Sequence, residues 1–139
     1  MGARVETSNW PLPLGGQRFI TPPRLRRLLQ RHPLSAGCYP LAMGFYPEAV
    51  GHQMQRARPD DHLLIYCRSG KGWLETADGR LEVVAGDLLL LPKGVAHAYG
   101  ADGQSPWTIY WVHFDGSLSQ DFLHLLGAQM QRRIGVQPR

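Results

Sequence analysis

No apolar run in this chain of 139 residues approaches the roughly 18 that a membrane-spanning helix needs. Neither of the two cysteines, Cys38 and Cys67, belongs to a C-x-x-C pair, so the spacing of a zinc ribbon or a redox site is missing. Cys67 closes the run HLLIYC and reads as a small core residue. The stretch MGARVETSNWPLPLGG lacks the basic, apolar and small-residue regions of a signal peptide, and a cytoplasmic location is expected. Internal repeats and low-complexity segments are absent too. The net charge of +4 comes from local clusters, Arg24, Arg26, Arg27 and Arg31 near one end and Arg132, Arg133 and Arg139 near the other. No basic stripe is interleaved with aromatic residues, as it is in single-strand nucleic-acid binders. Direct contact with nucleic acid is therefore not expected of this chain, and its arginines read as solvated helix faces.

What the chain does have is turn residues, with 16 Gly and 11 Pro. They separate short runs of strand character: YPLAMGFY, HQMQRAR, HLLIYC, GWLETA, RLEVVA, DLLLLP, AHAYG and PWTIYWVHF. Such spacing predicts an all-β sandwich or barrel. Residues 1–21 carry little periodicity and read as an arm. In PPRLRRLLQRHP, Leu25, Leu28 and Leu29 share one helical face between prolines, which predicts a short helix. Asp78-Gly79 predicts a hairpin through a type I′ turn, and the GKG of residues 70–72 reads as a turn rather than a phosphate loop. In PWTIYWVHF, Trp107, Ile109, Trp111 and His113 share one face, while Tyr110, Val112 and Phe114 share the other. One face can line a barrel interior; the other needs cover. A helix over Leu118–Met130, capped by Ser117 or Ser119, can supply it from outside or offer its apolar stripe to a second copy. The division expected is an arm over 1–21, a barrel over 22–116 and a linker and dimerisation helix over 117–139.

The stretch GDLLLLPKGVAHAYG sets Gly86, Pro92, Gly94 and His97 in the spacing G-x5-P-x-G-x2-H. This matches the second motif of the cupins, in which the Pro-x-Gly turn aims the following histidine inward. With HLLIYCRSGKGWLE and PWTIYWVHFDG, the chain over about residues 40–133 resembles the N-terminal effector-binding domain of AraC-family transcriptional regulators. The resemblance implies a cupin-like jelly-roll barrel, with a short N-terminal helix and a C-terminal helix packed on its outside. It implies that a small-molecule effector, a sugar in the best-known branch, binds inside the barrel, and that the helices dimerise. It also implies that DNA is read by two helix-turn-helix units beyond Arg139, in a longer regulator of which this chain is the sensor portion.

Carried onto this chain, the expected pocket is His97, Tyr99, Trp111 and Arg58. Arg58, in RARPD, matches a sugar-contacting arginine that likewise precedes a proline. Trp10 and Phe19 are candidate lid residues on the arm. Phe122, Leu125, Leu126 and Met130 are the expected dimer contacts. Trp73, Trp107, His62, His113 and His124 read as structural, and Glu75 and Asp87 as turn stabilisers. The alternative is a metal-dependent cupin enzyme. Cupin enzymes hold their metal with an H-x-H pair and a glutamate in addition to the histidine of the second motif. This chain has no H-x-H, its nearest substitute being His62 with Glu75, and Ala101 stands where the second motif usually has an asparagine. The expectation is a sensor with no metal, no cofactor and no catalytic residue.

Overall fold

A computed structural model of the chain describes residues 10–126 and, as backbone, residues 132–133. Strands β1 (Gln17–Ile20), β2 (Tyr39–Tyr46), β3 (Gln53–Arg56), β4 (His62–Ser69), β5 (Lys71–Thr76), β6 (Gly79–Val84), β7 (Asp87–Leu91), β8 (His97–Ala101), β9 (Thr108–Asp115) and β10 (Arg132–Arg133) are accompanied by helices α1 (Pro23–Arg31) and α2 (Ser119–Leu125). They form two sheets, ordered β1-β2-β9-β4-β7-β10 and β3-β8-β5-β6. Every pairing between these strands is antiparallel. This is the cupin-type jelly-roll that the sequence predicts.

The inner face follows the twofold side-chain period of a strand. On β9, Ile109, Trp111 and His113 are buried, whereas Tyr110 is 45% exposed. On β4, Leu63, Ile65 and Cys67 enter the core, and on β7 Leu89 and Leu91 do so. Two indoles fit only because glycines lie beneath them. A Cβ on Gly44 would overlap the Trp111 ring, and one on Gly72 would overlap the Trp107 ring. Gly94, at φ +81°, shapes the turn into β8, and its N–H donates to the Pro59 carbonyl at 2.8 Å.

Four expectations need correction. Residues 17–20 are not arm, because β1 pairs with β2 from Gln17↔Phe45 to Ile20↔Ala42. The β5–β6 hairpin turns through Ala77-Asp78, since Thr76 pairs with Gly79. Only Gly79 has positive φ (+121°), so the turn is not type I′; glycine after the two central residues is the habit of type I. Helix α2 spans Ser119–Leu125, with Leu118 at its N-cap and no side-chain cap. Ser119 Oγ instead donates to the Gly37 carbonyl at 3.3 Å. The outer face of β9 is also not covered by α2, which leaves Tyr110 open to solvent.

Gly72→Ala should lower stability by about 1–3 kcal/mol through overpacking against Trp107. Gly103→Ala, where a Cβ meets nothing within 4 Å, should be close to neutral. Urea denaturation of the two variants checks this, and equal losses would contradict the glycine seat.

Candidate functional site in the barrel interior

The lower end of the barrel holds a buried charged cluster. Arg56, the last residue of β3, pairs across to His97 on β8, and both side chains point inward and are buried. The Arg56 guanidinium donates to Asp61 Oδ1, and His113 Nδ1 donates to the same oxygen at 2.9 Å. Burial pushes the Asp61 carboxyl up, but the His113 hydrogen bond and the charges of His113 and Arg56 outweigh it, leaving its pKa below the usual value.

Above this cluster the wall is aromatic. The His97 and Tyr99 rings stack at 5.8 Å. Tyr99 lies 5.7 Å from His52, which lies 5.4 Å from Tyr46, which lies 5.3 Å from Trp111. Trp10 closes the far end, 4.6 Å from His52 and 4.9 Å from Tyr46. Arg18 ties it down, donating to the Trp10 carbonyl at 2.7 Å and to the Tyr46 hydroxyl at 3.0 Å. His52 Nδ1 accepts from the Trp107 indole N–H at 3.2 Å. Within this apolar wall, His52 Nε2, His97 Nε2 and Trp111 Nε1 are buried with no hydrogen-bond partner. An open hollow of about 290 Å³, lined by Gln55, Arg56, Glu75, Thr76, Ala96 and His97 among others, reaches the charged end from outside.

Of the four expected pocket residues, the structure brings His97, Tyr99 and Trp111 together and leaves Arg58 out. Strand β3 ends at Arg56 and the chain bends at residues 57–58, so Arg58 is exposed. The arginine inside the barrel is Arg56. Trp10 packs at the barrel end, but Phe19 is 62% exposed on the outer face of the six-stranded sheet. His62 is buried beside Phe114, 5.3 Å away on the outer side of the sheet, and accepts from the Lys93 N–H at 3.0 Å. His113, expected to be structural, belongs to the charged cluster. Sequence reasoning missed His52, Arg56 and Asp61. Among the described residues, no group of three or more His, Cys, Asp or Glu side chains could hold a metal ion. Nor is any described helix long and apolar enough to cross a membrane.

The rings of Tyr46, Tyr99, Trp107 and Trp111 form one packed core cluster with Trp10 against it, and the buried His52 and His97 lie beside them. The AraC-like ligand-binding domain family matches this chain over residues 42–137. The chain belongs to that family. The AraC-like domain is 45% identical over 125 residues to the MmsAB operon regulatory protein of Pseudomonas aeruginosa, covering 87% of this chain and 41% of that protein. It is 35% identical over 60 residues to the raffinose operon transcriptional regulatory protein of Pediococcus pentosaceus, covering 42% of this chain and 22% of that protein. The chain thus spans less than half the length of the curated relatives it matches. Among solved structures, the protein YhaK from Escherichia coli shares the fold, with a TM-score of 0.58 at 15% identity over 88% of this chain and 51% of that one.

Burial lowers the pKa of His52 from 6.5 to about 4. Burial, helped by the Arg56 charge, does the same to His97. Between about pH 4 and 6.5 the unfolded chain therefore binds more protons at these two positions than the AraC-like domain does. Stability is fully present above the unfolded value and is lost as pH falls toward about 4. The loss is roughly 3 kcal/mol per histidine. Urea midpoints should fall steeply between pH 7 and pH 4.5, and a flat profile would show that these rings are not held neutral.

Proposed function

We propose that this domain senses a small-molecule effector held inside the barrel and forms a homodimer through α2, as the sensor part of a transcription regulator. On this reading it catalyses no reaction, and DNA is contacted by a domain outside this chain. The observation that carries the reading is the set of buried nitrogens on His52, His97 and Trp111 that meet no protein group. Buried polar atoms are almost always satisfied, and one left alone costs about 1–3 kcal/mol. Three such atoms within one aromatic cluster favour a polar guest over a core satisfied by protein alone. His97, Tyr99, Trp111 and Arg56 are the proposed ligand contacts, with Trp10 as the plug. That one relative regulates a raffinose operon supports including sugars among the candidate effectors. A thermal-shift screen of sugars, sugar acids and small aromatics tests the reading, because a ligand that binds only the folded state raises its stability. A chamber that accepts none of them would be a filled core.

For the dimer, α2 buries Leu123 and Ser119 against the barrel and leaves Phe122 47%, Leu125 83% and Leu126 59% exposed. Met130, the fourth expected contact, lies outside the described residues. Exposed leucines and a phenylalanine on one short helix form the kind of apolar stripe that a partner covers. Leu126→Asp should weaken self-association by about tenfold or more, read by sedimentation velocity across a concentration series. An unchanged profile would remove α2 from the interface.

A further inference from the structure

None of the 9 residues of α1 is buried. Leu25 is 44% and Leu28 59% exposed, and their spacing sets them on one face of the helix. Arg24, Arg27 and Arg31, at i, i+3 and i+7, run in a row beside them. With Pro22 they bound an open hollow of about 590 Å³. The helix is held by its ends and leaves this face free. Thr21, just before it, donates its N–H to the Leu41 carbonyl at 2.9 Å and its hydroxyl to the Pro40 carbonyl at 2.8 Å. At the other end Gln30 donates to the Tyr39 hydroxyl at 3.3 Å, and Ser35 Oγ donates to the Leu29 carbonyl at 2.8 Å. A preformed ridge of leucines, flanked by arginines, therefore faces solvent.

The charges on this ridge work against the helix that carries them. The sequence of α1, PRLRRLLQR, holds no acidic residue, and Arg24 stands in its first turn, where the helix dipole favours anions. Arg27 and Arg31 are like charges four residues apart, which repel. Among the described residues, no carboxylate pairs with Arg24, Arg27 or Arg31. A second copy of this chain is a poor source of the missing anions. Helix α1 against α1 would set like charges together, and α2 offers one carboxylate, Asp121. Glu75 and Glu82 already pair with Arg80 and Lys71 on their own hairpin. The phosphates of a nucleic acid would take the arginines but leave the leucines in water. Binding to a lipid surface scales with buried apolar area, which two leucines supply poorly. A helix with carboxylates beside an apolar stripe meets both features. Anchors at i, i+3 and i+7 repeat at the same rise on both helices, and the guanidinium fork fits a carboxylate with two parallel hydrogen bonds. We propose that α1 is a docking ridge for an acidic amphipathic helix of another protein, which seats its apolar residues on Leu25 and Leu28 and its carboxylates on Arg24, Arg27 and Arg31. None of these residues belongs to the barrel interior or to α2, which leaves the ridge independent of the effector and of the dimer contacts.

Fluorescence anisotropy on the 139-residue chain tests it. The probes are a labelled alanine-based helical peptide with leucines at i, i+3, i+4 and i+7 flanked by glutamates, the same residues in scrambled order, and a short DNA duplex. Phosphatidylglycerol vesicles are compared by co-sedimentation. The ordered peptide should bind, should bind less well as salt rises from about 50 to 300 mM, and should exceed the scrambled peptide about tenfold. Changing Arg24, Arg27 and Arg31 together to Gln should lower its affinity about tenfold, and Leu25→Ala with Leu28→Ala should do the same. The melting temperature of the triple Gln variant should be at or above the parent's, because the self-repulsion is gone. The chain carrying Arg24→Glu, Arg27→Glu and Arg31→Glu should instead take the peptide with Lys in place of Glu, a swap that loss of folding could not produce. Equal binding of the scrambled peptide, unaltered affinity in either set of variants, a failed swap or no binding at all overturns the proposal. Duplex or vesicle binding tighter than that of the ordered peptide overturns it in favour of a phosphate-bearing partner.

Discussion

The register of β9 between β2 and β4 governs both the core and the chamber. Trp111 is directly opposite Gly44 on one side and Ile65 on the other, and His113 is opposite Ala42 and Leu63. A slip of one residue would turn Tyr110 and Val112 inward and send Trp111 and His113 to solvent. Gly44 is the only kind of residue that lets the indole lie against its neighbour, because any Cβ there would overlap the ring. The hydrogen bond from His113 to Asp61 fixes the same register at the other end of the strand. Steric fit at one point and charge at another thus select one alignment, and that alignment delivers an indole N–H to the interior.

The chamber carries its polarity in an economical form. Histidine buried as the neutral ring avoids the cost of a desolvated charge, yet keeps a donor and an acceptor in fixed directions. At one end the Arg18 guanidinium donates to the Trp10 carbonyl and the Tyr46 hydroxyl, and at the other Arg56 and His113 share Asp61. Removing one member of such a set leaves the others uncompensated, so the cluster acts as a unit. The rest of the wall is aromatic and is held rigid by neighbours, including Trp107 on Gly72 and Trp10 under Arg18.

The alternation along PWTIYWVHF was legible, since a strand's period needs no knowledge of its partners. His97 and Tyr99 were legible for the same reason, with the Pro-x-Gly turn to set their direction. The arginine was misassigned because strand length is tertiary information: β3 stops at Arg56, and nothing local in QMQRARPD says so. His52 escaped notice because it precedes its strand in a turn, where no periodicity points inward. Asp61 reads as one of several acidic turn residues until folding brings Arg56 and His113 to it. The hairpin at Asp78-Gly79 was legible as a hairpin, but its turn type depended on which residue pairs with Thr76.

Strand β9 also connects the chamber to the helix proposed to dimerise. Its last residue, Asp115, accepts from the Gly116 N–H and from Lys93 Nζ, each at 2.9 Å. Lys93 sits in the turn that leads to His97, and its N–H donates to His62 at the start of β4. Beyond Gly116, the N–H groups of Ser117 and Leu118 donate to the Ala36 and Gly37 carbonyls, which seats the base of α2 on the segment before β2. A ligand that drew on both Trp111 and His97 would therefore load two routes, β9 itself and the Lys93 turn, that meet at Asp115. That convergence is spatial, and it becomes coupling only if the seat of α2 has two arrangements that the ligand distinguishes. The three-residue link from Gly116 to Leu118, between a strand pinned on its neighbours and a helix with an exposed apolar stripe, is where such a difference would be expressed.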